Sequence, residues 1–311
     1  MRILIAYDGS ISADAAIDDL RRAGLFHEAE ALVVCVADGE EPVHLQTTAS
    51  EKTQTRGAAS SSSKVAEARM IAASGSDRIK SYFPQWSVSS DALCGSPAKV
   101  LTDATGWWRP DLFVIGSHGR TGVRRLFLGS VSWELIHRAG CSVRVARCSG
   151  SRNPEDPIRM VIGVDGSTEA AAALRSVTAR AWPKKTEAQI VSAVQTIAPA
   201  MTALEANTFA QEPAYSVIRE ADERLRFRLR NIAGEAANAL GRAGLIATTH
   251  VVDGDPREAI LTAAEVGKAD MIFVGARGLG RMQRLLLGSV SSYIVTHAHC
   301  GVEVVRGKHA K

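Results

Sequence analysis

Leu112-Phe113-Val114-Ile115-Gly116-Ser117-His118-Gly119 passes from an unbroken apolar tetrad into two glycines, and after nine further residues comes Gly129-Ser130-Val131-Ser132. The same sentence is written again 159 positions later: Met271-Ile272-Phe273-Val274-Gly275-Ala276-Arg277-Gly278, nine residues, then Gly288-Ser289-Val290-Ser291. Four apolar residues in succession read as a parallel strand covered on both faces. Glycines directly after such a strand let backbone N–H groups approach a ligand with no Cβ in the way. A Gly-Ser pair opening a helix adds a hydroxyl and unpaired amides where an anion is welcome. A single copy is also readable as two glycine turns around a loop; two copies at one spacing favour phosphate binding.

Working outward, other segments repeat in the same order. Tyr7-Asp8-Gly9-Ser10 returns as Val164-Asp165-Gly166-Ser167, Gly95-Ser96-Pro97 as Gly254-Asp255-Pro256, and Cys141 as Cys300. The chain of 311 residues is therefore one domain duplicated. The polar Pro- and Gly-containing stretch 149–157 reads as the linker between domains at 1–148 and 158–311. Strands are expected near 2–7, 31–37, 86–92, 111–116 and 142–147, and again near 159–165, 188–194, 246–252, 270–275 and 301–306. Helices lie between them, with Ser10 and Ser167 as N-caps and Pro97 and Pro256 in first turns. Alternation of this kind builds a parallel α/β sheet with right-handed crossovers. Residues 38–63 and 195–212 fit neither pattern and read as surface insertions, with a lid as the alternative.

Composition narrows the classes. With 46% hydrophobic and 23% charged residues the chain builds real cores. No apolar run approaches the roughly 20 residues of a membrane span, and the amino terminus reads as a strand and turn rather than a leader, so a cytoplasmic protein is expected. A net charge of +4 falls short of a nucleic-acid-binding surface. Five cysteines without a C-x-x-C argue against a disulfide framework or zinc ribbon.

The glycine spacing matches neither a Walker A loop nor the dinucleotide fingerprint. It resembles the G-x2-G-x9-G-[S/T] hallmark of the universal stress protein family, and the resemblance runs through both halves. It implies two tandem five-stranded parallel α/β sandwich domains of the adenine nucleotide alpha hydrolase-like type, strand order 3-2-1-4-5. In ATP-binding members an Asp ending the first strand meets the nucleoside, here Asp8 and Asp165. An aliphatic residue late in the second strand meets the base, with Val36 and Val194 nearest. The loop then holds the phosphates through Gly116, Gly119, Gly129, Ser130 and Val131, and through Gly275, Gly278, Gly288, Ser289 and Val290. The first copy keeps the family's Gly-Ser-His-Gly form, which adds His118. Asp8 and Gly116 also fall at the switch point where this strand order reverses, the usual ligand crevice of open α/β sheets. For each Asp, capping the turn is the alternative.

The expected ligand is thus ATP, or AMP or ADP, with magnesium on its phosphates. The expected role is a stress-response sensor or adaptor; a slow ATPase and a nucleotide-free scaffold are the alternatives. No nucleophile–base pair or carboxylate pair stands out for catalysis. Loop arginines 120, 124, 125, 277, 281 and 284 are candidate phosphate neighbours. His297-Ala298-His299-Cys300 invites a metal reading, but the first copy has Arg138-Ala139-Gly140-Cys141 there. The run from Arg224 to Arg230 reads as a solvated helix face, and Trp107-Trp108 as packing at a helix end. The family commonly pairs domains through the fifth strands. Arg144 and Glu303 occupy equivalent positions there, which suggests an intrachain pseudo-dimer with these charges facing, and a possible homodimer. Valine at Gly116 or Gly129 is expected to abolish binding without unfolding the domain.

Overall fold

In a computed structural model, residues 1–39, 56–119, 128–147, 153–195, 213–279 and 287–307 are described. The chain divides into two compact units, one containing Met1–Glu155 and the other Asp156–Met282 and Gly288–Lys311. The first unit holds β1 (Arg2–Ala6), α1 (Ile11–Leu20), β2 (Glu30–Ala37), α2 (Arg56–Tyr82) and β3 (Ser87–Cys94). It continues with α3 (Pro97–Trp108), β4 (Leu112–Gly116), α4 (Ser130–Arg138) and β5 (Ser142–Ala146). The second holds β6 (Arg159–Gly163), α5 (Thr168–Thr178), β7 (Glu187–Val194), α6 (Pro213–Arg242) and β8 (Ile246–Asp253). It ends with α7 (Pro256–Val266), β9 (Met271–Gly275), α8 (Ser289–His297) and β10 (Gly301–Val305). Within the units the strands run in the orders β3-β2-β1-β4-β5 and β8-β7-β6-β9-β10. All pairings among them are parallel.

The central strands carry the patterning that covering on both faces demands. Leu112 through Ile115 and Met271 through Val274 are buried at every position. Strands β3 and β8 differ: β3 is partly buried and β8 largely exposed, with no fully buried position in either. A strand with one neighbour needs less cover, and polar residues there discourage pairing with other chains. Helix α1 buries Ala13, Ala16, Ile17 and Leu20, the i, i+3, i+4, i+7 stripe of an amphipathic helix. Covering Ile17 and Leu20 contributes about 1.5–3 kcal/mol each.

Register is locked identically in both units. Asp111 Oδ2 accepts the Arg2 N–H at 2.9 Å, and Asp270 Oδ2 accepts the Arg159 N–H at 2.9 Å, fixing where β4 and β9 begin beside β1 and β6. Ser10 and Ser167 cap their helices by accepting the N–H of Ala13 and Ala170, each at 3.1 Å. Pro97 and Pro256 open α3 and α7. The expected insertion at 38–63 is corrected in part: α2 already starts at Arg56, so the Ala58–Ser63 run belongs to a helix. Alanine carries strong helix propensity, and the buried stripe Ala68, Ala72 and Ile79 that follows holds the later turns to the sheet. Residues 40–55 and 196–212, and the linker positions 148–152, lie outside the described residues.

The fifth strand of each unit also buries charge. Arg144, in the middle of β5, donates through Nε to Asp19 Oδ2 of α1 at 2.6 Å with its side chain 1% exposed. Glu303, in the middle of β10 and fully buried, receives Nη1 of Arg180 at 2.9 Å and Nη2 on its other oxygen. The two charges expected to attract each other are thus each met by a partner of opposite sign inside their own unit. Helix α1 and the residue two positions beyond α5 supply those partners, which the alignment of the strands alone did not bring into view.

Among the described residues, Trp108 is buried with the Arg2 guanidinium 4.5 Å from its ring centre, while Trp107 is exposed. Arg224 pairs with Glu220 at 2.6 Å one helical turn away, as expected of a solvated face. His297 stacks on Tyr293, with ring centres 3.9 Å apart, and its Nδ1 lies 2.9 Å from the Tyr293 carbonyl. No helix among the described residues is long and apolar enough to cross a membrane.

Removing one member of a fully buried ion pair strands the other. Glu303→Ala is therefore expected to cost about 3–5 kcal/mol in chemical denaturation. Glu30→Ala, which opens the exposed Arg2–Glu30 contact, is expected to cost under about 1 kcal/mol.

Candidate functional site

Where β1 and β4 part, their carboxyl ends open onto a cavity of about 600 Å³. Asp8 stands at one side of the gap. Its Oδ1 accepts the Ser10 N–H at 3.0 Å, so the carboxylate does hold the turn. Its Oδ2 reaches across to the glycine loop, where a Cβ on Gly119 would stand 3.2 Å from it. Asp165 repeats both features: Oδ1 accepts the Ser167 N–H at 2.9 Å, and a Cβ on Gly278 would fall 2.7 Å from Oδ2.

Gly129 is the N-cap of α4 and offers no side chain to the helix end; Gly288 does the same for α8. The first-turn amides of Ser130 and Val131 are therefore uncapped, with the helix dipole favouring an anion. Each cap is pinned from behind. The Gly129 N–H donates to the Ser117 carbonyl at 2.8 Å and the Ser132 hydroxyl to the Gly116 carbonyl at 2.9 Å. Gly288 donates to Ala276 at 2.8 Å, and Ser291 to Ala276 at 3.0 Å. A Cβ on Gly129 would meet His118 and Ser117 only at ordinary contact, 3.5 Å, so glycine there leaves room in front of the helix rather than relieving a clash.

Gly116 is different. An added Cβ would lie 2.7 Å from both the carbonyl oxygen and the hydroxyl of Ser12, and at Gly275 the same atom would lie 2.6 Å from the Glu169 carbonyl carbon. These glycines let α1 and α5 close onto β4 and β9. The expectation that valine at Gly116 spares the fold is corrected on that ground.

His118 lines the cavity. Its N–H donates to Ser12 Oγ at 3.1 Å, Ser12 and Ser117 hydroxyls lie 3.4 Å apart, and Ser117 Oγ lies 3.0 Å from His118 Nδ1. Ser12 accepts from the backbone, so a chain running from Ser12 to Ser117 to Nδ1 leaves the proton of the neutral ring on Nε2, which is buried with no hydrogen-bond partner among the described residues. Burial, and then the Arg147 guanidinium, hold the imidazole below its ordinary value of 6.5. In the second unit Arg277 replaces His118, and Glu169 replaces Ser12. They form an ion pair at 2.7 Å, with Glu169 also accepting the Gly307 N–H at 2.5 Å. Arg120, Arg124, Arg125, Arg281 and Arg284 lie outside the described residues.

Val36 lines the first cavity. Val194 does not line the second, which is about 410 Å³ and bounded there by Ala193 and Gln195. The turns that follow explain this. Gly95 N–H donates to the Ala37 carbonyl and Gly254 N–H to the Val194 carbonyl, both at 3.0 Å and both from glycines at positive φ. Val194 is thus the counterpart of Ala37, and Ala193 that of Val36. One residue of slip turns a strand side chain to the other face. The remaining expected positions, Gly119, Gly129, Ser130 and Val131 with Gly278, Gly288, Ser289 and Val290, line their respective cavities together with Asp8 and Asp165. Lys64 and Glu67 of α2 line the first cavity, and Leu225 and Leu229 of α6 the second; sequence reading passes over the first two and includes both leucines in the Arg224–Arg230 run read as a solvated face.

Among the described residues no three His, Cys, Asp or Glu side chains gather as a metal site. The residues present do fit a phosphorylated ligand: cradles that a Cβ would fill, and a helix end open toward them.

This is an α/β sandwich with its crevice at the strand-order switch, built twice. The sequence profile of the universal stress protein family matches residues 1–147 and again 158–306, and the chain belongs to that family as a tandem member. Universal stress protein Rv2005c of Mycobacterium tuberculosis is 27% identical over 223 residues, covering 71% of this chain and 69% of that one. Universal stress protein YxiE of Bacillus subtilis is 26% identical over 148 residues, 48% of this chain and 98% of its own. A universal stress protein from Archaeoglobus fulgidus shares the fold across 98% of both chains, with a TM-score of 0.61 at 18% identity.

Two outcomes follow. Gly116→Ala is expected to lower the thermal midpoint by several degrees, whereas Gly129→Ala leaves it nearly unchanged in the same melting experiment. Because the folded chain holds His118 neutral more strongly than the unfolded chain does, unfolding takes up a proton in mild acid. That contribution is complete above about pH 6.5 and is lost as pH falls through the lowered folded value. His118→Gln should flatten this part of the stability profile, read from denaturation midpoints at about pH 7.5 and about pH 5.5.

Proposed function

We propose that this chain is an adenine-nucleotide-binding stress-response protein, a sensor or adaptor working in the cytoplasm, that holds ATP, or ADP or AMP, at the carboxyl ends of its central strands. One observation carries the reading: Asp8, the Gly119 backbone and the uncapped first turn of α4 converge on one cavity, and the same three parts recur in the second unit. Asp8 Oδ2 is suited to accept from ribose hydroxyls. The Gly119 segment and the amides of Ser130 and Val131 suit the phosphates. The aliphatic wall at Val36 suits the flat face of a base. Since no three metal-ligating side chains gather among the described residues, a magnesium ion would take its ligands from phosphates and water. An intrachain pseudo-dimer through the fifth strands and a further homodimer belong to the same family-based proposal.

Calorimetric titration of ligand-stripped protein with ATP tests it. Saturable binding is expected, reduced by at least about tenfold at the first cavity by Gly129→Val with the fold retained in circular dichroism. The absence of heat with ATP, ADP and AMP alike would overturn the proposal.

A further inference from the structure

The phosphate ends of the two cavities share their Asp, their glycines and their Gly-Ser helix ends, with Arg277 standing where the first has His118; the opposite ends share less. Burial aligns the long helices. Ala68, Ala72 and Ile79 of α2 are 3%, 0% and 0% exposed, and Leu229, Ala233 and Leu240 of α6 are 3%, 1% and 0% exposed, each 161 positions further on. On that alignment Leu225 stands where α2 has Lys64, and Leu229 where it has Ala68. The adjoining strand ends differ as well: Val36 and Asp38 become Ala193 and Gln195.

The consequences are visible in size and chemistry. Ala68 and Ala72 pack closely against Cys35 and Ala37, leaving an open far end that Lys64, Glu67 and Asp38 ring with hydrogen-bonding groups. Lys64 Nζ lies 3.4 Å from the Asp38 carbonyl, which holds the ammonium over that end. Lys64, Glu67, Ala68 and Ile71 share a face because residues three and four apart on a helix are neighbours. In the second unit the leucines occupy this space, and the cavity shrinks from about 600 to about 410 Å³. Arg277, the one cationic residue lining it among the described residues, is joined to Glu169.

Resting on the nucleotide reading above for the first cavity, we infer that the two cavities take different ligands. The first selects a nucleotide through the polar far end made by Lys64 and Glu67. The second, closed there by Leu225 and Leu229, takes a phosphate ester with a compact apolar body. A polar base edge turned toward two leucines exchanges its water for the single amide of Gln195, whereas a small hydrocarbon group loses nothing.

The test uses the full chain and two charge-blocking variants. Ser130→Glu and Ser289→Glu each place a carboxylate at an exposed first helical position, which suits the helix and repels a phosphate. Titration with ATP should give one site per chain, lost in Ser130→Glu and kept in Ser289→Glu. Phenyl phosphate, the apolar probe, should bind in the converse pattern, weakened at least about tenfold by Ser289→Glu alone. Leu225→Lys combined with Leu229→Ala should open a second ATP site, while Lys64→Leu should weaken the first by about tenfold. Two ATP sites of similar affinity in the native chain would overturn the inference, as would loss of ATP binding in Ser289→Glu but not in Ser130→Glu. So would phenyl phosphate binding that Ser289→Glu leaves unchanged. If neither the native chain nor the double leucine variant binds ATP, the nucleotide reading fails instead, and the phenyl phosphate arm alone decides the assignment of the second cavity.

Discussion

At the carboxyl end of β4 the chain has no room for a side chain. Gly116 lies so close to the first turn of α1 that a single added carbon would sit 2.7 Å from the Ser12 carbonyl oxygen, and Gly275 stands in the same relation to α5. Everything at the crevice depends on that approach. It brings the amino end of α1, with Asp8 and its Ser10 cap, against the strand from which the glycine loop departs. It also lets the Ser12 hydroxyl reach the His118 N–H at 3.1 Å. Two adjacent parallel strands whose crossovers leave in opposite directions always open a gap between their ends. Here the width of that gap is set by a hydrogen atom where other residues carry a Cβ.

The same constraint explains a division of labour among glycines that look alike in sequence. Gly116 and Gly275 serve packing; Gly129 and Gly288 leave a helix end uncovered; Gly95 and Gly254 supply positive φ for the turns after β3 and β8. Glycines of the first two kinds line the cavities, and Gly95 and Gly254 do not. A motif written as glycines at fixed intervals therefore mixes fold and function, and only local geometry separates them.

Much of the architecture was legible beforehand. Duplication, the alternation of strands and helices, the serine caps and the opening prolines are all local signals, carried by residue type and spacing. What escaped notice was relational. Val194 was placed by counting along the chain, yet facing is decided by parity within the strand, and the Gly254 turn shows that Ala193 is the residue that looks into the cavity. The beginning of α2 was hidden because a Ser-rich run signals a loop when judged alone, whereas the buried stripe from Ala68 to Ile79, about three turns long, that follows it holds the helix. Lys64 went unnoticed, and Leu225 reads as part of a solvated run, because nothing in a single helix marks which of its faces closes a pocket.

Buried charge shows the same point at the level of energetics. Arg144 and Glu303 occupy matching places in β5 and β10 with opposite sign, and each has drawn a complement from its own unit: Asp19 from α1, Arg180 from beyond α5. The Ser12–His118 and Glu169–Arg277 pairs obey the same rule a few residues away. A duplicated domain does not drift one residue at a time in its interior. Changing one member alone would bury an unpaired charge, which costs several kcal/mol and exceeds what a typical domain can lose comfortably. The interior consequently changes in matched pairs that preserve the fold, while positions facing the cavity, such as Lys64 against Leu225, answer to no such partner. Divergence between the two halves is therefore cheapest where a ligand would sit, and that is where the two cavities differ most.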